Sequence, residues 1–163
     1  MFAGHVIRML IEQGLQTAET IAIVQHYTGV APGETGASLN TLLLRLDILS
    51  ANLDRARQRI EALPESEAHL AAAHEASIAF LTGDNAAALA GFRNAQKLLR
   101  QSLGKRKVAL EAEAGLFHML ALVRASDPAQ RTELRGLIDA ATVEVTPFYL
   151  AHRSVEALLE LIE

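Results

Sequence analysis

The sequence predicts an all-α fold, and three observations carry that prediction. Of the 163 residues 50% are hydrophobic but only 4% are aromatic, and most apolar side chains are alanine or leucine, which are strong helix formers. Apolar residues recur at intervals of three and four, as they do along one face of a helix. The 10 glycines and 4 prolines fall mainly between these periodic segments, where they separate one helix from the next.

The first four predicted helices are bounded by threonine, glycine and proline. The second begins at Thr17 or Thr20, which are good N-cap residues, and Pro64 stops the fourth because the residue before a proline avoids helical backbone. Residues 30–37 contain one proline and two glycines, so we predict a loop there. The four helices are predicted at residues 2–13, 17–28, 39–49 and 53–63.

Five more helices are predicted in the second part of the chain. Gly83 and Gly104 separate the first three of them. Asp127 and Thr146 are each followed by a proline, which is a typical helix start because proline fits the first helical turn. The five helices are predicted at residues 67–81, 85–102, 108–124, 127–142 and 147–163.

The turn at Gly83 carries a recognisable pattern. Gly83 ends one helix, Asp84 or Asn85 caps the next, and a small, a large and a small apolar residue then share one helix face. Such a face lets two antiparallel helices pack closely. The face residues are Ala88, Phe92 and Ala95. This stretch resembles the turn and second helix of a tetratricopeptide repeat, a helical hairpin of ~34 residues.

The pattern recurs imperfectly along the chain. Ala51 lies 32 residues before Gly83 in a similar context, and Gly14 lies 37 residues before Ala51. The resemblance implies a right-handed stack of helical hairpins forming a single domain over residues 1–163, with the clearest repeats in residues 1–102 and further helices in residues 108–163. Its inner seam is predicted to include Leu42, Leu46, Ala56, Ile60, Ile78, Ala88, Phe92, Ala95, Leu116 and Leu120.

Enzymatic chemistry has no support in this sequence. The chain has no cysteine, which rules out thiol catalysis and thiolate metal sites. None of the 6 histidines forms a His-Glu-x-x-His pair, and Ser50, Ser77 and Ser126 have no nucleophile-elbow glycines around them. Gly104-Lys105 lacks the rest of a phosphate-binding loop. We therefore expect no catalytic residue, no metal and no cofactor.

Membrane insertion is not expected either. The first residues have no basic leader, and no apolar run approaches the ~20 residues that cross a bilayer. The predicted protein is cytoplasmic, and the sequence leaves homo-oligomer formation open. The last predicted helix stays apolar to the end of the chain, whereas solenoids normally carry polar capping helices. We interpret this as a sign that the natural protein continues.

A basic cluster is the candidate binding site. Arg93, Lys97 and Arg100 are spaced by four and three residues, so they share a helix face, and Lys105, Arg106 and Lys107 follow closely. One interpretation is a solvated helix end, where cations complement the helix dipole. The other is contact with nucleic-acid phosphates or an acidic partner.

A second resemblance concerns the residues after this cluster. The segments 103–107 and 115–122 resemble a helical region found upstream of the motor in some bacterial Swi/Snf-type ATPases. That resemblance implies an accessory, helicase-associated part of a larger DNA-dependent ATPase. The leading prediction is different: a non-enzymatic scaffold that binds a protein or peptide partner along its stacked hairpins.

Overall fold

The computed structural model describes residues 34–103, 110, 112–125 and 127–144, together with Ala22 and His26. Every regular element in this part of the chain is helical, which confirms the all-α prediction. The first and ninth predicted helices and most of the second lie outside the described residues, as do Lys105, Arg106 and Lys107.

Six α-helices and one short 3-10 turn follow one another along the described residues. They correspond to the third to eighth predicted helices, with ends that differ by a few residues. The helices are α1 (Glu34–Leu49), α2 (Leu53–Glu61), α3 (Ala68–Leu81), α4 (Asn85–Leu103), α5 (Ala112–Ala125) and α6 (Pro128–Glu144), and the 3-10 turn is Glu65–Glu67.

The loop predicted at residues 30–37 is wrong over its second half. Helix α1 begins at Glu34, so Gly36 lies inside a helix. One glycine in a helix costs only about 1 kcal/mol, and α1 offsets that cost with a row of buried leucines. Its buried leucines are Leu42, Leu43, Leu44 and Leu46. The seventh helix was also predicted to start too early, at residue 108. Leu110 is buried but not helical, and α5 begins at Ala112.

The chain divides into two compact units, residues 1–62 and 63–163. In the first unit, α1 packs against α2, with Ala56 and Ile60 of α2 buried. The turn between them is closed by two backbone hydrogen bonds, from Ala51 N to Ile48 O (3.1 Å) and from Asn52 N to Asp47 O (2.8 Å). This is the 5→2 and 6→1 pattern of a helix C-terminus with a left-handed residue, and Ala51 has φ 59°.

The second unit contains α3 to α6, and its first turn has the same form. Gly83 has φ 89°, and the amides of Gly83 and Asp84 bond to the carbonyls of Phe80 and Ala79. The Asp84 carboxylate then accepts a hydrogen bond from Ala87 N at 3.0 Å, so Asp84, one of the two predicted N-cap residues, is the cap. Asp127 caps α6 in the same way, accepting from Ala129 N at 2.9 Å.

Phe92 is the central side chain of the second unit and is fully buried. Close packing around it depends on small residues, because a Cβ placed on Gly91 would lie 2.8 Å from Ala76 Cβ. Leu116 and Leu120 of α5 are only half-buried, whereas the other predicted seam residues are buried. The reason is that these two leucines lie on the side of α5 opposite His118, which stacks on Phe92 of α4.

Candidate functional site

Three of the predicted basic residues lie along one exposed flank of α4. Arg93, Lys97 and Arg100 are all exposed and share one face of α4, as their spacing predicts, beside the face that carries the buried residues of the helix. The remaining three members of the cluster are outside the described residues. The described part of the site therefore consists of the α4 side chains and their neighbours.

Arg93 is held by a carboxylate from a different helix. Its Nη2 donates to Glu133 Oε2 at 2.7 Å, and its Nε lies 3.2 Å from Oε2 and 3.3 Å from Oε1. The pair joins α4 to α6 in a two-pronged geometry suited to guanidinium and carboxylate. The hydrogen bond to Glu133 raises the pKa of Arg93, and the same bond lowers the pKa of Glu133.

A buried histidine lies on the other side of that carboxylate. His118 of α5 stacks on the Phe92 ring with a centroid distance of 5.1 Å, and its side chain is 1% exposed. Its Nε2 lies 3.5 Å from Glu133 Oε1 and has no hydrogen-bond partner among the described residues. Burial lowers the pKa of His118 to about 4, although the Glu133 charge opposes that shift. The imidazole is therefore neutral at pH 7.

Lys97 and Arg100 differ from Arg93 in their surroundings. Neither forms an ion pair with any residue that the structure describes, and both side chains are open to solvent. An anion that approaches Arg93 must compete with Glu133. The three cations share a face, but of these three only Lys97 and Arg100 can bind an anion without breaking an ion pair with a described residue.

Helical spacing gives no reason to place Glu133 or His118 beside the basic cluster. Glu133 lies 40 residues from Arg93, on a helix whose packing cannot be read from local periodicity. The one local signal is that His118 stands between Phe117 and Met119 in an apolar stretch, which is typical of a buried position.

The described part of the chain offers neither a metal site nor a membrane-spanning helix. No group of three His, Asp or Glu side chains there could hold a metal ion. None of the described helices is both long enough and apolar enough to span a bilayer. No protein-family model, curated protein or solved structure matches this chain.

Proposed function

We propose that this chain is a non-enzymatic scaffold that binds a protein or peptide, built as a tetratricopeptide-like stack of about nine helices. The observation that carries the proposal is the packing order in the second unit. Helix α3 packs against its hairpin partner α4 and also against α5, the first helix of the next hairpin. Contact between the first helices of consecutive hairpins is what stacked helical repeats require.

Side-chain contacts between the two hairpins support the same arrangement. The rings of Phe80 and Phe117 stack at 5.3 Å, and the Arg124 guanidinium lies 4.2 Å from the Phe80 centroid. Asn85 Nδ2 donates to Ala121 O, which is 36 residues away. These contacts join residues of one hairpin to the first helix of the next, as the stacking of successive hairpins requires.

The proposed binding surface is the outward side of α3 and α5. On α5 it carries an apolar stripe at helical spacing, Leu116, Leu120 and Val123, each half-buried. On α3 the same side is lined with small residues such as Ala72 and bears the exposed Glu75. Large apolar side chains beside small ones offer a surface on which an extended peptide or a helix can bury its own apolar residues.

A peptide selection tests this proposal. We expect a random peptide library, selected on the whole chain, to yield peptides that Leu116→Ala binds about tenfold more weakly, a loss of about 1.4 kcal/mol. Leu81→Ala is the matched control, because Leu81 is 44% exposed but lies on another face of α3. Peptides that bind both variants like the unaltered chain would place the binding surface elsewhere, and recovery of no binding peptide would count against a scaffold.

The second candidate is an accessory region of a larger Swi/Snf-type DNA-dependent ATPase. It is favoured by Lys97 and Arg100, which are exposed and form no ion pair with a described residue. If they contact phosphates, binding of a short duplex weakens as salt rises, because each neutralised phosphate releases counterions. A fluorescence-anisotropy titration at two salt concentrations then shows a larger loss of affinity for Lys97→Ala than for Arg93→Ala, since Glu133 already neutralises Arg93. Absence of duplex binding at low salt returns the cluster to a solvated helix flank.

A further inference from the structure

A polar cleft lies in the first unit, between α1 and α2. It has a volume of about 320 Å³ and is open to solvent on one side. Its residues on α2 are spaced by three and four along one helix face, so they line the cleft together. The lining residues are Asn40, Arg55, Gln58, Arg59 and Ala62.

Arg59, which lines the cleft, is held in place by the buried carboxylate of Asp47. Asp47 is 7% exposed and lies in the last turn of α1, where the helix dipole disfavours a negative charge. Arg59 compensates, because its Nε donates to Asp47 Oδ2 at 2.7 Å. Its Nη1 donates to Asn40 Oδ1 at 3.3 Å, which orients the Asn40 carboxamide and leaves the amide nitrogen as a donor. One arginine is thus enough to neutralise Asp47.

Arg55 is a second arginine at the cleft, and it is not needed to neutralise Asp47. Its Nε lies 4.0 Å from Asp47 Oδ1, too far for a hydrogen bond, and it donates none to any described residue. The Arg55 side chain is 53% exposed at the cleft, one helical turn from Arg59. Two like charges at this spacing repel each other. The cluster of Arg55, Arg59 and Asp47 therefore carries one surplus positive charge beside N–H donors that no described residue uses.

We propose that this cleft binds a single carboxylate group. Arg55 supplies the charge and a fork of N–H donors that matches the two carboxylate oxygens, and the amide groups of Gln58 and Asn40 supply neutral donors at the rim. A surplus of one charge matches a carboxylate better than a doubly charged phosphate. The carboxylate belongs either to an acidic peptide side chain or to a small free acid. The site uses the first unit alone and goes beyond the proposed function, because it involves no residue of α3 or α5.

Side-chain NMR of the whole ¹⁵N-labelled chain tests the site. The probes are the capped tripeptides acetyl-Ala-Glu-Ala-amide and acetyl-Ala-Gln-Ala-amide, acetate and inorganic phosphate, all at constant ionic strength. We expect the Arg55 Nε–H signal and the Gln58 amide signals to shift saturably with the Glu peptide, and at least fivefold less with the Gln peptide. Tighter binding of the Glu peptide than of acetate identifies a peptide ligand, and equal binding identifies a small acid.

Two variants make the result specific. Arg55→Gln removes the charge and should abolish the saturable shifts of Gln58. Arg57→Gln is the matched control, because Arg57 is exposed on the opposite side of α2 and pairs with Asp54 at 3.5 Å. Melting temperatures of both variants that equal that of the unaltered chain confirm that folding is unchanged. Shifts that persist in Arg55→Gln, that are the same with both tripeptides, that are stronger with phosphate, or that never saturate would overturn the proposal.

Discussion

Helices α1 and α3 each end at a residue with a left-handed backbone conformation, Ala51 and Gly83. The two residues differ in how easily they adopt it. Gly83 has φ 89° without a side chain to clash, whereas Ala51 has φ 59° and carries a Cβ. A left-handed conformation costs a non-glycine residue about 1–2 kcal/mol. The hydrogen bonds are the same at both turns, so the turn at Ala51 is held by the packing of α1 on α2 against a local preference.

Replacing Ala51 by glycine should therefore stabilise the first unit. We expect Ala51→Gly to raise the free energy of unfolding by about 1 kcal/mol, since relief of the strained backbone outweighs the added entropy of the unfolded chain. Gly83→Ala should lower the stability of the second unit by about 1 kcal/mol or more for the converse reason. Urea unfolding followed by circular dichroism measures both. A destabilised Ala51→Gly would mean that the left-handed turn carries no strain.

Protonation of His118 is the second effect at the residue scale. The folded pKa is about 4, below the ordinary 6.5, so the unfolded chain binds this proton more readily than the folded one. The resulting stability is present above pH 6.5 and is lost as the pH falls toward 4. Between pH 7.5 and 5.0 the loss from this group is about 2 kcal/mol.

We therefore expect His118→Gln to flatten the fall in stability on acidification over that range. The measurement is the urea midpoint at several pH values for both proteins. His69→Gln is measured beside it as a second exchange of histidine for glutamine, at a half-buried rather than a buried position. An equal pH dependence for His118→Gln and the unaltered chain would show that His118 is protonated as readily in the folded state.

At the scale of helices, close approach of α3 and α4 depends on Gly91. Its missing Cβ leaves room for Ala76, whose Cβ would otherwise be 2.8 Å away. Both contact atoms are fixed directly to the backbone, so relief requires a shift of whole helices rather than of a flexible side chain. The buried Ala88 and Ala95 of α4 are small as well, so close packing extends along that helix.

Two glycine-to-alanine changes separate packing from helix propensity. Gly91→Ala should destabilise the second unit by about 1–3 kcal/mol, as overpacking does. Gly136→Ala should stabilise it by about 0.5–1 kcal/mol, because Gly136 is exposed within α6 and a Cβ there meets nothing within 4 Å. Thermal unfolding of the two variants gives shifts of opposite sign. Stabilisation by both changes would contradict the close crossing.

At the scale of the whole molecule, the described helices of the second unit, α3 to α6, share one continuous apolar core. Phe92 lies within that core and is 0% exposed, and it supports the stacked ring of His118 on α5. The hairpins of this unit are therefore not independent, because the same ring takes part in the packing within one hairpin and between the two.

Truncating that ring should weaken the whole second unit. We expect Phe92→Ala to lower its free energy of unfolding by roughly 3–5 kcal/mol, the usual cost of a large buried cavity. The loss should appear in urea unfolding as a shift of one cooperative transition. Phe92→Leu, which fills most of the volume, should lose much less. A variant with alanine that unfolds like the original chain would refute the central role of Phe92.

Local sequence determined the helical class, most helix boundaries and the form of the turns. Apolar periodicity and capping act over a few residues, so Gly83 and Asp127 could be assigned without a structure, and the cap of α4 could be narrowed to Asp84 or Asn85. The start of α1 was missed because the buried leucines that outweigh Gly36 act through tertiary packing.

Tertiary structure alone decided which polar side chains meet. Arg93 and Glu133 lie on different helices, as do Asp47 and Arg59, and helical spacing says only which residues share a face of one helix. The angle and position at which two helices cross determine which of their polar side chains meet, and that crossing depends on core packing. The sequence thus predicted that Arg93, Lys97 and Arg100 share one face of a helix. Only the fold engages Arg93 with Glu133 and leaves Arg55 with donors that no described residue uses.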